Sequence, residues 1–440
     1  MAADTIIAPA SAIGGGVAVI RVSGPLAGQV FRELAQIPLQ APRVAQLVEL
    51  KDPQSGKTLD KALALYFQNP ASFTGEDVLE LHVHGGRAVV QSVIDAALSL
   101  DKDIRLAEGG EFTKRAYLNG KIDLTEAEAI ADLVAAETEA QADQARAQMG
   151  GALRDLYEGW RHDLTRILAH LEATIDFVDE EDVPQNLFAE TTRKLEPLAA
   201  AFQAHLADGH LGERLRDGFV VAVIGAPNAG KSSLVNALVK RDVAIVSDIA
   251  GTTRDAIEAH LNIGGFPVIL IDTAGLRETE DAIESEGIRR ARKKAEEADI
   301  ILALFDATKP PDHATFSQIS AHTLVVHTKA DLANKKEDFP GISVSSETGE
   351  NVDLLLGQIS SKLQQLTARP KEAPPLLTRT RHREMVENAL QHINRAILAK
   401  DIALLTEDVR LSLRELGRLT GRVDVEDLLD VIFRDFCIGK

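Results

Sequence analysis

The sequence predicts a multidomain fold, α/β together with all-α, in which a parallel-sheet unit is inserted within a helical domain. Two observations predict it. Between residues 217 and 368, continuous apolar runs alternate with helical segments: FVVAVIG, FPVILID, DIILALFD, TLVVHTK and ISVSS. Strands apolar on both faces belong in a parallel sheet covered by helices. On either side of this unit the texture is helical. Leu153, Leu156, Tyr157, Trp160, Leu164, Ile167, Leu168, Leu171 and Ile175 recur at helical spacing before it, and Val386, Ala389, Leu390, Ile393 and Ile397 after it. Two helical pieces that each expose an apolar stripe most simply pack on one another.

Taken in order, residues 1–120 mix short strands with helices. GVAVIRVSG and KALALYF read as strands and AVVQSVIDAALSL as a helix. Gly14-Gly15-Gly16 precedes a strand, so it lacks the strand-to-helix context of a dinucleotide fingerprint and reads as a flexible turn. His82 and His84 share a strand face, but zinc needs further ligands that the neighbourhood does not offer. They read as structural or substrate-adjacent. Helices take over across 121–216, where the acidic run DFVDEEDVP (176–184) reads as a solvated helix end. ADGHLGERLRDG (207–218) marks one boundary, and ARPKEAPP (368–375), with its three prolines, marks the next. Residues 369–440 return to helix and end in VEDLLDVIFRDFCIGK.

Composition narrows the function classes. The 440 residues suffice for two or three domains, and 45% hydrophobic with 26% charged residues is ordinary for a soluble protein. A net charge of −19 excludes a surface that binds polyanions throughout, so nucleic-acid contact would need a local basic patch or a basic partner. The single cysteine, Cys437, permits no intrachain disulfide and fits a reducing compartment. No apolar run approaches the ~18 residues of a membrane span. The opening MAADTIIAPASA lacks a basic, then apolar, leader pattern, and a cytoplasmic location is expected.

The chemistry is concentrated in the inserted unit. GAPNAGKSS (225–233) follows a strand and opens a helix, the context of a phosphate-binding loop. Gly225 and Gly230 let backbone N–H groups wrap phosphate oxygens, and the helix N-terminus adds its positive end. Lys231 would reach the β- and γ-phosphates and Ser232 would bind Mg²⁺. GTTRD (251–255) follows, with Thr253 closing on Mg²⁺ and the γ-phosphate. In DTAG, Asp272 would hold Mg²⁺ through water, and the Gly275 N–H would sense the γ-phosphate. TKAD (328–331) and SSE (345–347) each sit at a strand end. The Asp331 carboxylate can accept both N1–H and N2–H of guanine, a pattern adenine does not present. Thr328 stands where asparagine is usual and can keep a hydroxyl contact to the phosphate-binding loop. The set these motifs give is Asn228, Ala229, Gly230, Lys231, Ser232 and Ser233; Gly251, Thr252 and Thr253; Asp272, Thr273, Ala274 and Gly275; Thr328, Lys329, Ala330 and Asp331; Ser345, Ser346 and Glu347, and the resemblance described next adds Ser247, Asp248, Ile249 and Ala250. Many GTPases place a water-aligning glutamine after the second switch, where this chain has Leu276.

GAPNAGKSSLVNAL, AIVSDIAGTTRD, DTAGLRETEDAIESEGI and the final CIGK together resemble the MnmE (TrmE) family of tRNA modification GTPases. The likeness extends through DTIIAPAS, GGVAVIRVSG, FTGEDVLELHVHGG and GEFTKRAYLNGKIDLTEAEAIADL to DLLDVIFRDFCIGK, essentially the full length. The resemblance implies an N-terminal folate-binding and dimerisation α/β domain (1–120) and a helical domain in two parts (121–216 and 369–440). It also implies an inserted P-loop GTPase domain, Ras-like and doubly wound (217–368). It implies a homodimer working with a flavin-dependent partner of the MnmG (GidA) type, as a heterotetramer. Together they would install a carboxymethylaminomethyl or aminomethyl group at C5 of the wobble uridine (position 34) of certain tRNAs. The one-carbon unit would come from 5-formyl- or 5,10-methylene-tetrahydrofolate.

The same resemblance answers the missing glutamine. Family G domains dimerise face to face with K⁺ near the place of an arginine finger, and Asn228, Ser247, Ile249 and Thr252 match the cation-binding positions. Ser247 replaces the more usual threonine and retains the backbone oxygen. Glu284 matches the glutamate that orients the attacking water. On the residues alone it would be a solvent-facing helix residue paired with the nearby IRRARKK, a run that itself reads as a solvated face. Arg21, Glu80, Lys121 and Lys440 match folate contacts, although singly each is an ordinary surface charge. Cys437 has two readings, a functional thiol or a small apolar residue packed near a helix end. A function of another class also fits a GTP-binding unit: a regulatory switch in ribosome assembly without one-carbon chemistry. That class would more often carry an RNA-binding module after the G domain, where this chain reads as helical. The acidic charge leaves most tRNA affinity to the partner.

Overall fold

The computed structural model describes residues 4–39, 41–177, 187–243, 258–272, 296–333, 339–370 and 373–423, with 429, 432, 433, 436 and 439 of the tail. By packing, the chain divides into two compact units, Met1–Ala131 with Arg414–Lys440, and Asp132–Leu413.

The first unit is built on a six-stranded sheet. Its strands are β1 (Thr5–Pro9), β2 (Val17–Ser23), β3 (Gln46–Lys51), β4 (Thr58–Phe67), β5 (Val78–His84) and β6 (Ile104–Leu106), in the order β3-β4-β5-β2-β1-β6. The period-two alternation of β2 decides its two faces. Ala18, Ile20 and Val22 are buried beneath helices α1 (Ala27–Ala35) and α2 (Arg87–Leu98), with Val30, Phe31, Leu34, Val93 and Ile94 as the cover. The intervening Arg21 is thereby turned to the opposite face, paired in register with Glu80 of β5. Gly14-Gly15-Gly16 is pinned rather than loose: the Gly14 N–H donates to Gly85 O at 2.8 Å, and a Cβ on Gly85 would collide with the Gly15 carbonyl. Two glycine segments pass backbone to backbone there, a contact invisible to local propensity.

Helix α3 (Glu111–Leu118) follows β6, and α4 (Leu124–Ala135) follows α3. In the tail, Leu429, Phe433 and Phe436 pack against Leu124 and Ala127. A Cβ at Gly110 would lie 2.8 Å from the Phe436 Cβ, and one at Gly439 would strike the Pro9 carbonyl. The end of the chain therefore folds onto the unit formed by its beginning.

In the second unit, α5 (Glu139–Met149) opens with a capping box in which Thr138 and Gln141 satisfy each other's backbone N–H groups. Helix α6 (Ala152–Phe177) is followed by α7 (Leu187–Leu206) and α8 (Leu211–Asp217). The apolar stripe of α6 is buried from Leu153 to Leu171, and Trp160 stacks on Phe202 of α7 at 4.0 Å between ring centres.

The second sheet comprises β7 (Phe219–Gly225), β8 (Glu258–Ile263), β9 (Phe266–Asp272), β10 (Ile300–Asp306), β11 (Thr323–Thr328) and β12 (Ile342–Val344), in the order β12-β11-β10-β7-β9-β8. Helix α9 (Lys231–Leu238) follows β7, and α10 (Val352–Thr367) covers the sheet through Val352, Leu355, Ile359 and Leu363. Every pairing is parallel except β8 with β9. The run EAHLNI of β8 is a mixed-polarity edge strand, so it lacks the continuous apolar signature of its neighbours. Beyond this sheet, α11 (Thr380–Leu398) packs along α7, joining the helical segments before and after the inserted sheet. Helix α12 (Ile402–Thr420) follows. No helix among the described residues is long and apolar enough to cross a membrane.

Candidate functional site

The chain order reverses about β7: β9 lies on one side and β10 on the other. In an open α/β sheet that reversal leaves a crevice beyond the strand C-termini, where ligands bind. All the described nucleotide-site residues from the sequence reach this edge. Gly225 is in register with Leu304, Asp306 with Thr328, Thr328 with Val344, and Val223 with Asp272.

The loop after β7 turns through two left-handed residues, Asn228 (φ 64°) and Gly230 (φ 87°), and Gly230 caps α9. The first N–H groups of a helix have no intrahelical acceptor, so this end attracts anions. The Lys231 ammonium folds back onto the loop, 2.8 Å from Gly225 O and 3.0 Å from Ala226 O. Ser232 Oγ donates to Asp272 Oδ2 at 2.6 Å, which brings a hydroxyl from α9 beside a carboxylate from β9. Hard oxygen donors in that pairing suit Mg²⁺.

Thr328, buried at the end of β11, places Oγ1 2.7 Å from Ala229 O and 3.1 Å from Phe305 O. Lys329, left-handed at φ 59°, donates to Asn228 O at 3.0 Å and to Asp306 Oδ2 at 2.6 Å. A single helical turn, Ala330–Leu332, then presents Asp331 to solvent. Beyond β12, Ser345 is buried; its N–H donates to Glu350 O at 3.1 Å and its Oγ accepts from Thr348 N at 3.1 Å. Ser346 and Glu347 form the outer part of that turn.

Asp306 was no candidate from sequence. It is the last residue of the apolar strand β10. Burial opposes its charge, but hydrogen bonds from Lys329 and Thr308 outweigh that and hold its pKa down at about 2.

A second constellation lies on the open face of the first sheet. The Arg21 Nε donates to Glu80 Oε1 at 3.0 Å, and its guanidinium lies 5.7 Å from the Phe73 ring centre and 5.6 Å from that of Phe112. Phe73 is 37% exposed whereas Phe112 is fully buried, so the cation has one open aromatic neighbour. His82 lies 3.8 Å from Glu80, and His84 is taken by Asp60 at 2.8 Å. No cluster of metal-ligating side chains occurs among the described residues. Lys121 reaches Pro70 O at 2.9 Å, on the loop that carries Phe73. The aromatic partners of Arg21 carried no signal in sequence, because Phe73 and Phe112 are distant in the chain and meet only through the fold.

Two family models match: the MnmE helical domain over residues 124–437 and the N-terminus of the GTP-binding protein TrmE over 5–121. The tRNA modification GTPase MnmE of Parvibaculum lavamentivorans is 50% identical over 442 residues, covering 99% of this chain and 100% of that protein. The chain belongs to the MnmE (TrmE) family of tRNA modification GTPases.

The MnmE protein of Paramagnetospirillum magneticum is 49% identical, covering 99% of this chain and 100% of its own. A human relative, the mitochondrial 5-taurinomethyluridine-[tRNA] synthase subunit GTPB3, is 45% identical, covering 97% of this chain and 91% of its own. Against the MnmE expectation, the structure brings together Asn228 to Ser233, Asp272, Thr328 to Asp331 and Ser345 to Glu347 at one sheet edge. Ser247, Asp248, Ile249, Ala250, Gly251, Thr252, Thr253, Thr273, Ala274, Gly275, Leu276 and Glu284 lie outside the described residues, as do Cys437, Lys440 and the IRRARKK run.

Proposed function

We propose that this chain is a K⁺-activated GTPase that, with a flavin-dependent partner, modifies C5 of the wobble uridine of certain tRNAs using a tetrahydrofolate one-carbon unit. The observation that carries the reading is the convergence of the phosphate-binding loop, Ser232–Asp272, Thr328–Asp331 and Ser345–Glu347 on one crevice in a chain of the MnmE family.

The nucleotide chemistry follows from these groups. On binding, Lys231 exchanges the carbonyls of Gly225 and Ala226 for β- and γ-phosphate oxygens, and the α9 N-terminus receives the phosphate charge. Ser232, Asp272 and Thr253 would hold Mg²⁺, which neutralises charge between the phosphates. Asp331, exposed on its turn, accepts N1–H and N2–H of guanine. The Ser345 N–H is committed to Glu350, which leaves Ser346 and Glu347 to meet guanine O6. Glu284 would orient the attacking water in place of the absent glutamine. Asn228, Ser247, Ile249 and Thr252 would hold K⁺, which offsets charge developing between the β- and γ-phosphates.

For the folate, the Arg21–Glu80 pair flanked by Phe73 offers a carboxylate for donors on a pterin edge, a cation, and an exposed ring face. Lys121 and Lys440 would complete the contacts, with Cys437 as a functional thiol. In this reading residues 1–120 form the folate and dimerisation domain, 121–216 and 369–440 the helical domain, and 217–368 the G domain. The homodimer joins its flavin partner in the cytoplasm.

GTP turnover measured in K⁺ and in Na⁺ at matched ionic strength, across protein concentrations, tests the cation. Strong K⁺ activation that rises with concentration is expected; equal rates in both salts would remove K⁺ from the mechanism. Label from a folate one-carbon donor should reach tRNA when the partner is present. GTP turnover without such transfer would favour a regulatory switch instead.

A further inference from the structure

We propose that Asp306 is a positioning residue for the guanine nucleotide, acting through Lys329. It is outside the expected nucleotide-binding set and meets that set through Lys329. Its side chain, 7% exposed, lies at the C-terminal end of β10, beneath the loops that follow β7 and β11. The Lys329 ammonium bridges outward from it, 2.6 Å from Asp306 Oδ2 and 3.0 Å from Asn228 O. One end of that bridge therefore grips the phosphate-binding loop, at its left-handed residue. The other end is tied to the backbone that carries Asp331 two residues later.

Asp306 is itself immobilised. Its Oδ1 accepts from Thr308 N at 3.0 Å and from Thr308 Oγ1 at 2.6 Å. The flanking backbone is locked by Ala307 N donating to Thr328 O at 3.0 Å and by Lys309 N donating to Asp306 O at 2.9 Å. Lys309 also has a carboxylate contact, but at 3.8 Å and with 62% of its side chain exposed it is a weak competitor for Asp306. With burial opposed by the Lys329 and Thr308 hydrogen bonds, the carboxylate stays ionised at any physiological pH.

The physical consequence is preorganisation. A lysine stem is long and rotamer-rich, and ordering it when the ligand arrives would lower affinity. Asp306 orders it in the free protein, so the phosphate loop and the base-reading turn are already held together before nucleotide binds. The bridge holds Asn228 through its backbone carbonyl and orders the loop before either nucleotide arrives, so GDP and GTP should benefit equally. The inference rests on the GTPase reading of the crevice.

The test is a double-mutant cycle on the full chain, Asp306→Asn with Lys329→Met, read by fluorescent GDP, a non-hydrolysable GTP analogue and steady-state GTP turnover. Asp306→Asn keeps the shape and removes the charge. Its Kd for both nucleotides should rise about tenfold, with KM rising in parallel and kcat held within about twofold. In the Lys329→Met background the same substitution should change Kd by less than about twofold. An unchanged Kd in the single variant, a fall in kcat at constant KM, or an undiminished effect in the Lys329→Met background would each overturn the proposal. If Asp306→Asn does not fold, Thr308→Val decides: it loosens Asp306 and should raise Kd about threefold, again only when Lys329 is present. No shift there overturns the role as well. The native chain is the control, because failure of the native chain to bind GDP would instead sink the GTPase reading.

Discussion

Thr328 shows how one atom can stand in for a larger side chain. Its hydroxyl lies within reach of two carbonyls that no other described hydrogen bond ties together, Ala229 O in the phosphate-binding loop and Phe305 O in β10. The residue is 2% exposed, so water cannot replace the contact if it is lost. Thr328→Val removes the hydroxyl at constant shape and leaves the loop carbonyl unsatisfied, which costs about 1–3 kcal/mol. Part of that cost falls on the loop geometry, so the Kd for GDP should rise about tenfold. Guanine preference over adenine should persist, because Asp331 is untouched. A Thr328→Val protein that binds GDP like the native chain would show that the loop is held elsewhere. The hydroxyl contact was legible from the residue type, since threonine is short yet keeps a donor. The Asp306 anchor next to it was not, because a buried acid reads the same in sequence whether it ends a strand or grips a lysine.

Around helix α7 polar groups are buried together with the apolar stripe. His205 is 1% exposed, 3.0 Å from the Tyr157 hydroxyl and edge-on to Trp160. Burial lowers its pKa to about 4; Asp208 pulls upward, and His382 and Arg383 reinforce the fall. The folded state thus excludes a proton that the unfolded chain takes up near pH 6.5. Between those values the unfolded state binds more protons, so this contribution to stability is complete above pH 6.5 and declines as pH falls toward 4. Its full span is about 3 kcal/mol. His205→Phe keeps the ring packing and should flatten the loss of melting temperature between pH 7 and pH 4.5 relative to the native chain. Equal slopes would refute the assignment. Nearby, Asp208 and Arg383 form a buried pair at 2.7 Å, and Asp208 also accepts from the Leu377 N–H. The pair thereby joins the chain segment leaving the helical region to the one returning to it. Arg383 also holds Glu213 at 3.3 Å and the Leu206 carbonyl at 3.1 Å, so Asp208→Asn removes its shortest ion pair without stranding it and should destabilise by about 1–3 kcal/mol. A melting point unchanged from the native chain would contradict the pairing. Neither group stood out in sequence, whereas the stripes of α6 and α11 did. Periodicity reports which face is buried, not which polar groups are buried with it.

Across the full chain, what could be read in advance was whatever depends on local pattern: alternating apolar strands, the strand–loop–helix context of GAPNAGKSS, and helical stripes on both sides of the inserted sheet. What could not be read depends on distant segments meeting. The tail packing on Gly109 and Gly110, the mixed-polarity strand β8, and Phe73 and Phe112 beside Arg21 are of that kind. Charge is the remaining property set by the molecule rather than by any segment. At −19 the chain repels a polyanion, and counterion release needs cations facing the phosphates. Several arginines are already paired with carboxylates: Arg105 and Arg115 with Asp4 and Glu111, Arg216 and Arg379 with Asp132, and Arg383 with Asp208. The isolated chain should therefore hold tRNA no tighter than nonspecific binding, with Kd above about 10 μM at ~150 mM salt. Adding the flavin-dependent partner proposed above should tighten binding at least about tenfold. Fluorescence anisotropy with labelled tRNA, titrated with the chain alone and with the complex at two salt concentrations, measures both quantities. If the chain alone matched the complex at both salts, a local basic patch on this chain would have to carry the tRNA. In that case the division of labour between chain and partner would be reversed.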